Sequence, residues 1–292
     1  PEGYAIYEGP AAGDTIEIEG IQPWSHAAPV LYHAVLTLRD ADGVLQEVVP
    51  YDIGFRRFEM INGVMCLNGE RVVFNGVNRH EWNADRGRAI GADDMHAAMA
   101  VFKKNNINAV RTCHYPDQSL WYDLCDRNGI YMIDETNLES HGSWQKLGAV
   151  EPSWNVPGSL PEWKDCVVDR ARSMFERDKN HPAVLIWSCG NESYAGEDIL
   201  AMSQFFHDHD PGRLVHYEGV FHCRAFDAIS DMESRMYAKP WEIREYLESH
   251  PKKPFILCEY MHDMGNSLGG MESYVKLADE FDQYQGCLLY TS

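Results

Sequence analysis

From about residue 70 onward, short runs of buried type alternate with longer segments whose apolar residues recur at helical spacing, and this constrains the fold more than any other feature. Val72–Val77, Ile107–Arg111, Ile130–Ile133, Val184–Ser188 and Phe255–Cys258 read as strands, with weaker ones at Leu214–Tyr217 and Ala228–Asp231. Helices are expected over Asp93–Asn105, Ser119–Asn128, Pro161–Lys179, Ile199–His209, Trp241–Ser249 and Ser273–Tyr284. Ser119 is the expected N-cap and Gly129 the C-cap of the second helix. On the Pro161 helix, Trp163, Val167, Met174 and Phe175 share an apolar side. Strands this apolar belong in a parallel sheet covered on both faces. Seven are traceable and an eighth begins at Gly286, so a (β/α)8 barrel accounts for the count and the length. A doubly wound open sheet is the runner-up, but the Gly-rich phosphate turn it would normally carry is absent.

The first 66 residues read as β. Thr15–Glu19 alternates, Leu31–Leu38 and Leu45–Tyr51 flank the turn residues Asp40–Gly43, and Asn62-Gly63 and Asn68-Gly69 are two hairpin signals. This resembles part of an all-β, immunoglobulin-like sandwich; an irregular β-rich cap on the next domain is the alternative. The expected division is a partial sandwich over 1–66, an incomplete catalytic barrel over 67–286 and a tail over 287–292 that looks like non-native sequence. Both ends are expected to be cut, since the chain opens at Pro1 inside a domain.

Lys+Arg 25 against Asp+Glu 45 gives a net charge of −20, which argues against a nucleic-acid or anionic-membrane partner. No apolar run is long enough to span a bilayer. Cys66, Cys113, Cys125, Cys166, Cys189, Cys223, Cys258 and Cys287 show no C-x-x-C or metal-knuckle spacing, so free thiols in a reducing cytoplasm are the expectation.

Catalytic groups of a barrel gather at the C-terminal ends of its strands. Here those ends read Asn78-Arg-His80-Glu-Trp82, Arg111-Thr-Cys-His114-Tyr115, Asp134-Glu-Thr-Asn-Leu-Glu139-Ser-His141, Asn191-Glu192, Met236-Tyr237 and Glu259-Tyr-Met-His262. Any single one has a structural alternative; Asp134 and Glu135, for instance, can simply cap a loop. Together they put two carboxylates, Glu192 and Glu259, on strands four and seven, facing each other across one mouth. Retaining glycoside hydrolysis needs such a pair about 5–5.5 Å apart, one acid and one nucleophile. Arg111 is placed to keep Glu259 ionised, and Tyr237 to donate a hydrogen bond to it. Glu139 and His141, two residues apart, would suit a divalent ion such as Mg2+ with Glu192 as third ligand.

These stretches carry a resemblance. Ile186-Trp-Ser-Cys-Gly-Asn-Glu192-Ser, Cys258-Glu-Tyr-Met-His-Asp-Met-Gly-Asn-Ser-Leu-Gly-Gly270, Gly76-Val-Asn-Arg-His-Glu81, Arg111-Thr-Cys-His-Tyr-Pro116, Asn137-Leu-Glu-Ser-His-Gly142 and Asn180-His-Pro-Ala-Val-Leu-Ile-Trp187 are similar to glycoside hydrolase family 2. Within that family they resemble the large bacterial β-galactosidases. The resemblance implies Glu192 as acid/base, Glu259 as nucleophile and Mg2+ on Glu139, His141 and Glu192. It implies His80 and His114 at the galactosyl ring, stabilising the transition state, and Asn191 and His262 on sugar hydroxyls. Tyr237 would assist the nucleophile and Arg111 would hold it. Hydrolysis of terminal β-D-galactosides with retention is the implied reaction. A monovalent cation (Na+ or K+) and a homo-oligomer are implied for the full-length protein.

β-Glucuronidases and β-mannosidases are the sister activities; the run His262–Ser267 sets the chain apart from the first. A non-catalytic sugar-binding barrel is the reading from another class, and a metal-dependent hydrolase on Glu139 and His141 a third. Against the family, this stretch is expected to lack the preceding jelly-roll domain, the eighth strand beyond Gly286 and the C-terminal sandwich domains. The 292-residue piece alone is therefore expected to be poorly active or inactive.

Overall fold

The computed structural model describes residues 5–9, 15–144, 155–262 and 269–290. Strands β1 (Tyr32–Arg39) and β2 (Leu45–Ile53) form an antiparallel hairpin. Thr15–Glu19 forms no strand: its alternation has no apolar face to rest on, and the segment is largely exposed. Strands β3 (Phe58–Ile61), β4 (Val64–Leu67) and β5 (Glu70–Arg71) form a small antiparallel sheet. Its turns are the two Asn-Gly pairs. Asn62 and Gly63 sit at φ +52° and +79°, Asn68 and Gly69 at +54° and +88°, the positive pair that a two-residue hairpin turn matching strand twist requires. The Gln285 side chain, from the last barrel strand, bonds the backbone of Met65 and Val72, which ties this sheet to the barrel.

The barrel follows. Its strands are β6 (Phe74–Arg79), β7 (Ala109–Thr112), β8 (Tyr131–Glu135), β9 (Val184–Ser188), β10 (Leu214–His216), β11 (Glu233–Met236), β12 (Phe255–Tyr260) and β13 (Tyr284–Tyr290). They run in the order β10-β9-β8-β7-β6-β13-β12-β11, every ladder parallel. Among the described residues β10 and β11 share no ladder. One backbone bond, Asp231 N to Val215 O at 2.9 Å, and side chains join them: Val215 N donates to Asp231 Oδ2 at 2.7 Å, and Ser234 Oγ lies 2.8 Å from His216 Nε2.

The longer helices cover the outside: α1 (Ala92–Lys104), α2 (Ser119–Asn128), α4 (Pro161–Asp178), α5 (Glu197–His209) and α6 (Pro240–Glu248), while the one-turn α3 (His141–Trp144) lies at the mouth. On α1 the buried residues are Met95, Met99 and Phe102, spaced four and three apart on one stripe. Pro161 opens α4, where a missing N–H costs nothing, and Gly129 ends α2 in the left-handed region.

Several expectations shift. The N-cap of α2 is Gln118, and Ser119 is its first helical residue. Trp163 is exposed: it shares the side of Val167 and Met174 but lies in the first turn of α4. Arg224–Ile229 is a 3-10 segment running into the expected strand Ala228–Asp231; the sixth strand is β11, five residues later. The expected helix Ser273–Tyr284 is two short pieces, α7 (Met271–Val275) and α8 (Leu277–Glu280). The eighth strand does not stop at Gly286: Cys287-Leu288-Leu289 continues the apolar run, and pairing with β6 extends to Tyr290 opposite Asn78.

Candidate active site

Arg111, near the end of β7, is fully buried at the centre of the mouth, and its guanidinium is shared among four elements. Nε donates to Glu135 Oε2 on β8 at 2.6 Å, Nη2 to Asn191 Oδ1 after β9 at 2.8 Å, and Nη1 to Asn78 Oδ1 on β6 at 3.0 Å and Glu259 Oε1 on β12 at 2.9 Å. A buried cation with this many acceptors aligns the strand tips that surround it. Tyr237, just past β11, donates to the other oxygen, Glu259 Oε2, at 2.6 Å, and His114 Nε2 lies 3.7 Å from Oε1. Glu259 is thus buried, paired with a cation and hydrogen-bonded on both oxygens.

Glu192 meets different surroundings. Burial raises its carboxyl above the usual range; the charges of Glu259 and Glu139 add to this, while His141 and His114 oppose it. Its backbone is set by two devices. Gly190 sits at φ +140°, where a Cβ would come within 2.7 Å of Leu138 O, so only glycine lets the chain turn there. Glu192 itself sits at φ +40°, its N–H donating to Glu218 Oε1 at 2.7 Å. Burial pushes Glu218 up to about 8.

Glu139 reaches the same place because it bridges to Asn191 in parallel register, with Asn191 N donating to Leu138 O at 2.8 Å. His141 Nδ1 is 2.9 Å from Glu192 Oε2, and ligand atoms of Glu139, His141 and Glu192 lie within 4.8 Å of one another. Two carboxylates and an imidazole converging in this way fit a divalent cation by donor type and spacing.

The remaining residues expected from the sequence line the same mouth, among aromatic rings. His80 Nε2 lies 3.2 Å from Tyr290 Oη, and burial lowers its pKa to about 4, so the ring is neutral at ordinary pH. His262 packs at 4.6 Å between ring centroids on Tyr290, and His114 lies parallel to that ring at 6.4 Å. All ten candidates, His80, Arg111, His114, Glu139, His141, Asn191, Glu192, Tyr237, Glu259 and His262, therefore belong to one mouth. Residues 263–267 of the distinguishing run after His262 lie outside the described residues.

Sequence reasoning misses Tyr290, Glu135 and Glu218. Tyr290 falls in the stretch that reads as a non-native tail. Glu135 reads as a loop cap, yet a carboxylate inside a strand of wholly buried type must have a cationic partner, and that is the available signal.

A parallel barrel with a carboxylate paired to a buried arginine on its seventh strand and one raised by burial after its fourth is of the glycoside hydrolase kind. Residues 58–291 match the family described as glycosyl hydrolases family 2, TIM barrel domain, and residues 4–56 match glycosyl hydrolases family 2. The chain belongs to glycosyl hydrolases family 2. It is 63% identical over 267 residues to a protein of Halalkalibacterium halodurans named beta-galactosidase, covering 91% of this chain and 26% of that protein. It is 57% identical over 275 residues to the beta-galactosidase large subunit of Lactobacillus acidophilus, covering 94% of this chain and 44% of that protein. The chain thus spans less than half the length of either relative. Among solved structures, the apo β-glucuronidase of Ruminococcus gnavus matches with a TM-score of 0.79 at 22% identity, over 93% of this chain and 52% of that one. Bacteroides uniformis beta-glucuronidase 3 matches at 0.74 and 22%, over 94% and 39%. At that identity the likeness shows the fold.

Proposed function

We propose that the protein to which this chain belongs is a retaining glycoside hydrolase acting on terminal β-D-galactosides. The observation that carries the chemistry is the contrast between the two carboxyls: Glu259 is held by Arg111 and Tyr237, while burial and neighbouring carboxylates raise Glu192. Paired carboxyls in surroundings this different divide into nucleophile and acid. Glu259 attacks the anomeric carbon as Glu192 protonates the leaving oxygen, giving a glycosyl–enzyme ester. Glu192 then takes a proton from the water that cleaves it. Tyr237 and Arg111 hold the attacking oxygens in place, and the neutral His80 ring offers the sugar a hydrogen-bond partner. Asn191 and His262 are assigned to sugar hydroxyls, as in the family.

Glu139, His141 and Glu192 are the residues assigned to Mg2+. A bound divalent cation would supply a fixed positive charge beside Glu192. The galactoside assignment rests on relatives 52–63% identical that bear the name beta-galactosidase. Eight free cysteines support a reducing, cytoplasmic location, and among the described residues no helix is long and apolar enough to cross a membrane. A homo-oligomer and a Na+ or K+ site are carried over for the full-length protein from the family resemblance. The test is to express the full-length gene and assay aryl β-galactoside, β-glucuronide and β-mannoside side by side. Preference for the galactoside is expected; preference for either of the others overturns the assignment.

A further inference from the structure

Glu218 takes no part in the chemistry just described, yet it touches a residue that does. It is buried, and it opens the 3-10 turn Glu218–His222 just past the end of β10. Oε1 accepts the backbone N–H of Glu192 at 2.7 Å, and among the described residues Oε2 has no hydrogen-bond partner. Burying a carboxyl with one oxygen idle costs free energy, and what the burial secures is the bond to Glu192. The β9–β10 ladder stops at Ser188 opposite His216, with one further bond from Cys189 N to His216 O at 3.1 Å. Gly190 then carries the chain past Leu138. Asn191 is anchored there on its own: its N–H donates to Leu138 O at 2.8 Å, and its Oδ1 accepts from Arg111. Glu192 follows at φ +40°, a left-handed conformation that a residue with a Cβ keeps only where its surroundings impose it.

We propose that Glu218 is a positioning residue that sets where the Glu192 carboxyl stands against the leaving oxygen, with Tyr217 as its partner in a clamp on that turn. The inference rests on the glycosidase reading and adds to it what holds the acid/base in place. Tyr217 and Glu218 continue the β10 segment after its ladder has run out, and they replace backbone pairing with side chains. Tyr217 Oη accepts from Ser193 N at 3.1 Å and donates to Ser193 O, while Glu218 takes the N–H of Glu192. Two consecutive side chains thus grip two consecutive peptide units. Asn191 keeps its own two bonds when the clamp is loosened, so the displacement falls on Glu192.

The test is Glu218→Met, which keeps the length of the side chain but removes the accepting oxygen, beside Glu218→Gln, which keeps one. Kinetics on the full-length protein compare an alkyl β-galactoside, whose leaving oxygen needs a proton, with a dinitrophenyl β-galactoside, whose leaving oxygen does not. In Glu218→Met, kcat/KM on the alkyl substrate should fall about tenfold to hundredfold, between the loss of one hydrogen bond and the misplacement of a reacting group. On the dinitrophenyl substrate the fall should be much smaller, and Glu218→Gln should recover most of the alkyl loss. A change that only loosened the fold would lower both substrates together, so equal losses overturn the proposal. So does a Glu218→Met enzyme that matches wild type, or a Glu218→Gln enzyme as impaired as Glu218→Met. Tyr217→Phe removes one hydroxyl from the same clamp; it should show the same substrate selectivity, and it decides the matter either way if Glu218→Met does not fold. Hydrogen exchange read by mass spectrometry over residues 189–194 should be faster in the variants than in wild type. If wild type hydrolyses no galactoside, the glycosidase reading fails, while the exchange measurement still decides whether the clamp holds Glu192: unchanged exchange overturns it.

Discussion

Arg111 and Glu259, 148 positions apart in sequence, form a buried ion pair at 2.9 Å between the second and seventh barrel strands. Neither group has water to fall back on, and Glu135 lies on the same guanidinium. Replacing Arg111 by Met would leave two buried carboxylates without their cation. The expected cost is about 3–5 kcal/mol of stability, because an uncompensated buried charge outweighs what the pair itself contributed. Urea unfolding of wild type and Arg111→Met measures this; an unchanged midpoint would contradict it.

The two carboxyls separate by leaving group. Glu259→Gln should lower kcat/KM by at least about 10^3 for every galactoside, since no nucleophile remains. Glu192→Gln should spare kcat/KM for a dinitrophenyl galactoside, whose leaving group needs no proton, and depress it for an alkyl galactoside. Equal losses on both substrates would remove Glu192 from the acid role.

At the turn into Glu192, Gly190→Ala places a methyl against Leu138 O at a φ of +140°. The expected penalty is about 1–3 kcal/mol of strain, with a drop in kcat as Asn191 and Glu192 shift. Thermal unfolding and kinetics on the same preparation check both halves of that statement.

A chelator should reduce galactosidase activity, and added Mg2+ should restore it. In Glu139→Gln that response should disappear, and calorimetric titration of Mg2+ should show weakened binding. Full activity in chelator, with no binding heat in wild type, would dismiss the metal reading.

His207, on α5, lies 3.0 Å from Asp231 Oδ2 at the β10/β11 junction. That hydrogen bond raises the imidazole pKa above its ordinary value, against burial, which lowers it; the Asp231 charge adds to the rise. The folded state therefore holds the proton more tightly than the unfolded one. The resulting stability is fully present below the unfolded pKa of about 6.5 and is lost as pH rises through the folded value. Melting temperatures of wild type and His207→Gln should converge from pH 6 to pH 9. A constant difference across that range would count against the link.

The barrel is legible because strands buried on both faces carry almost nothing but apolar residues, and helices on a core carry a stripe. The sixth strand is not. Glu233-Ser-Arg-Met236 looks like loop chemistry, and only the structure shows Glu233 buried, with Arg224 and Arg235 each 2.7 Å away. Glu135 escapes for the same reason: its partners Arg111 and His114 lie more than 20 residues away, and spacing along a chain does not reveal pairing across a barrel. Glu192 and Glu259 are readable because each closes an apolar run, where a charge has no packing reason to be.

The junction between β10 and β11 acquires a meaning from its position. Going round the barrel by the short path from β9, which leads to the proposed acid/base Glu192, to β12, which carries the proposed nucleophile Glu259, it is the middle step, and it is held by one backbone bond from Asp231 to Val215 and by side chains, with no ladder. The distance between two catalytic carboxyls selects retention or inversion. Here that distance spans a joint whose width is written in Asp231, Ser234 and His216. Substitution at these three residues would therefore test whether the seam helps set the separation of the two carboxyls while the parallel ladders stay intact.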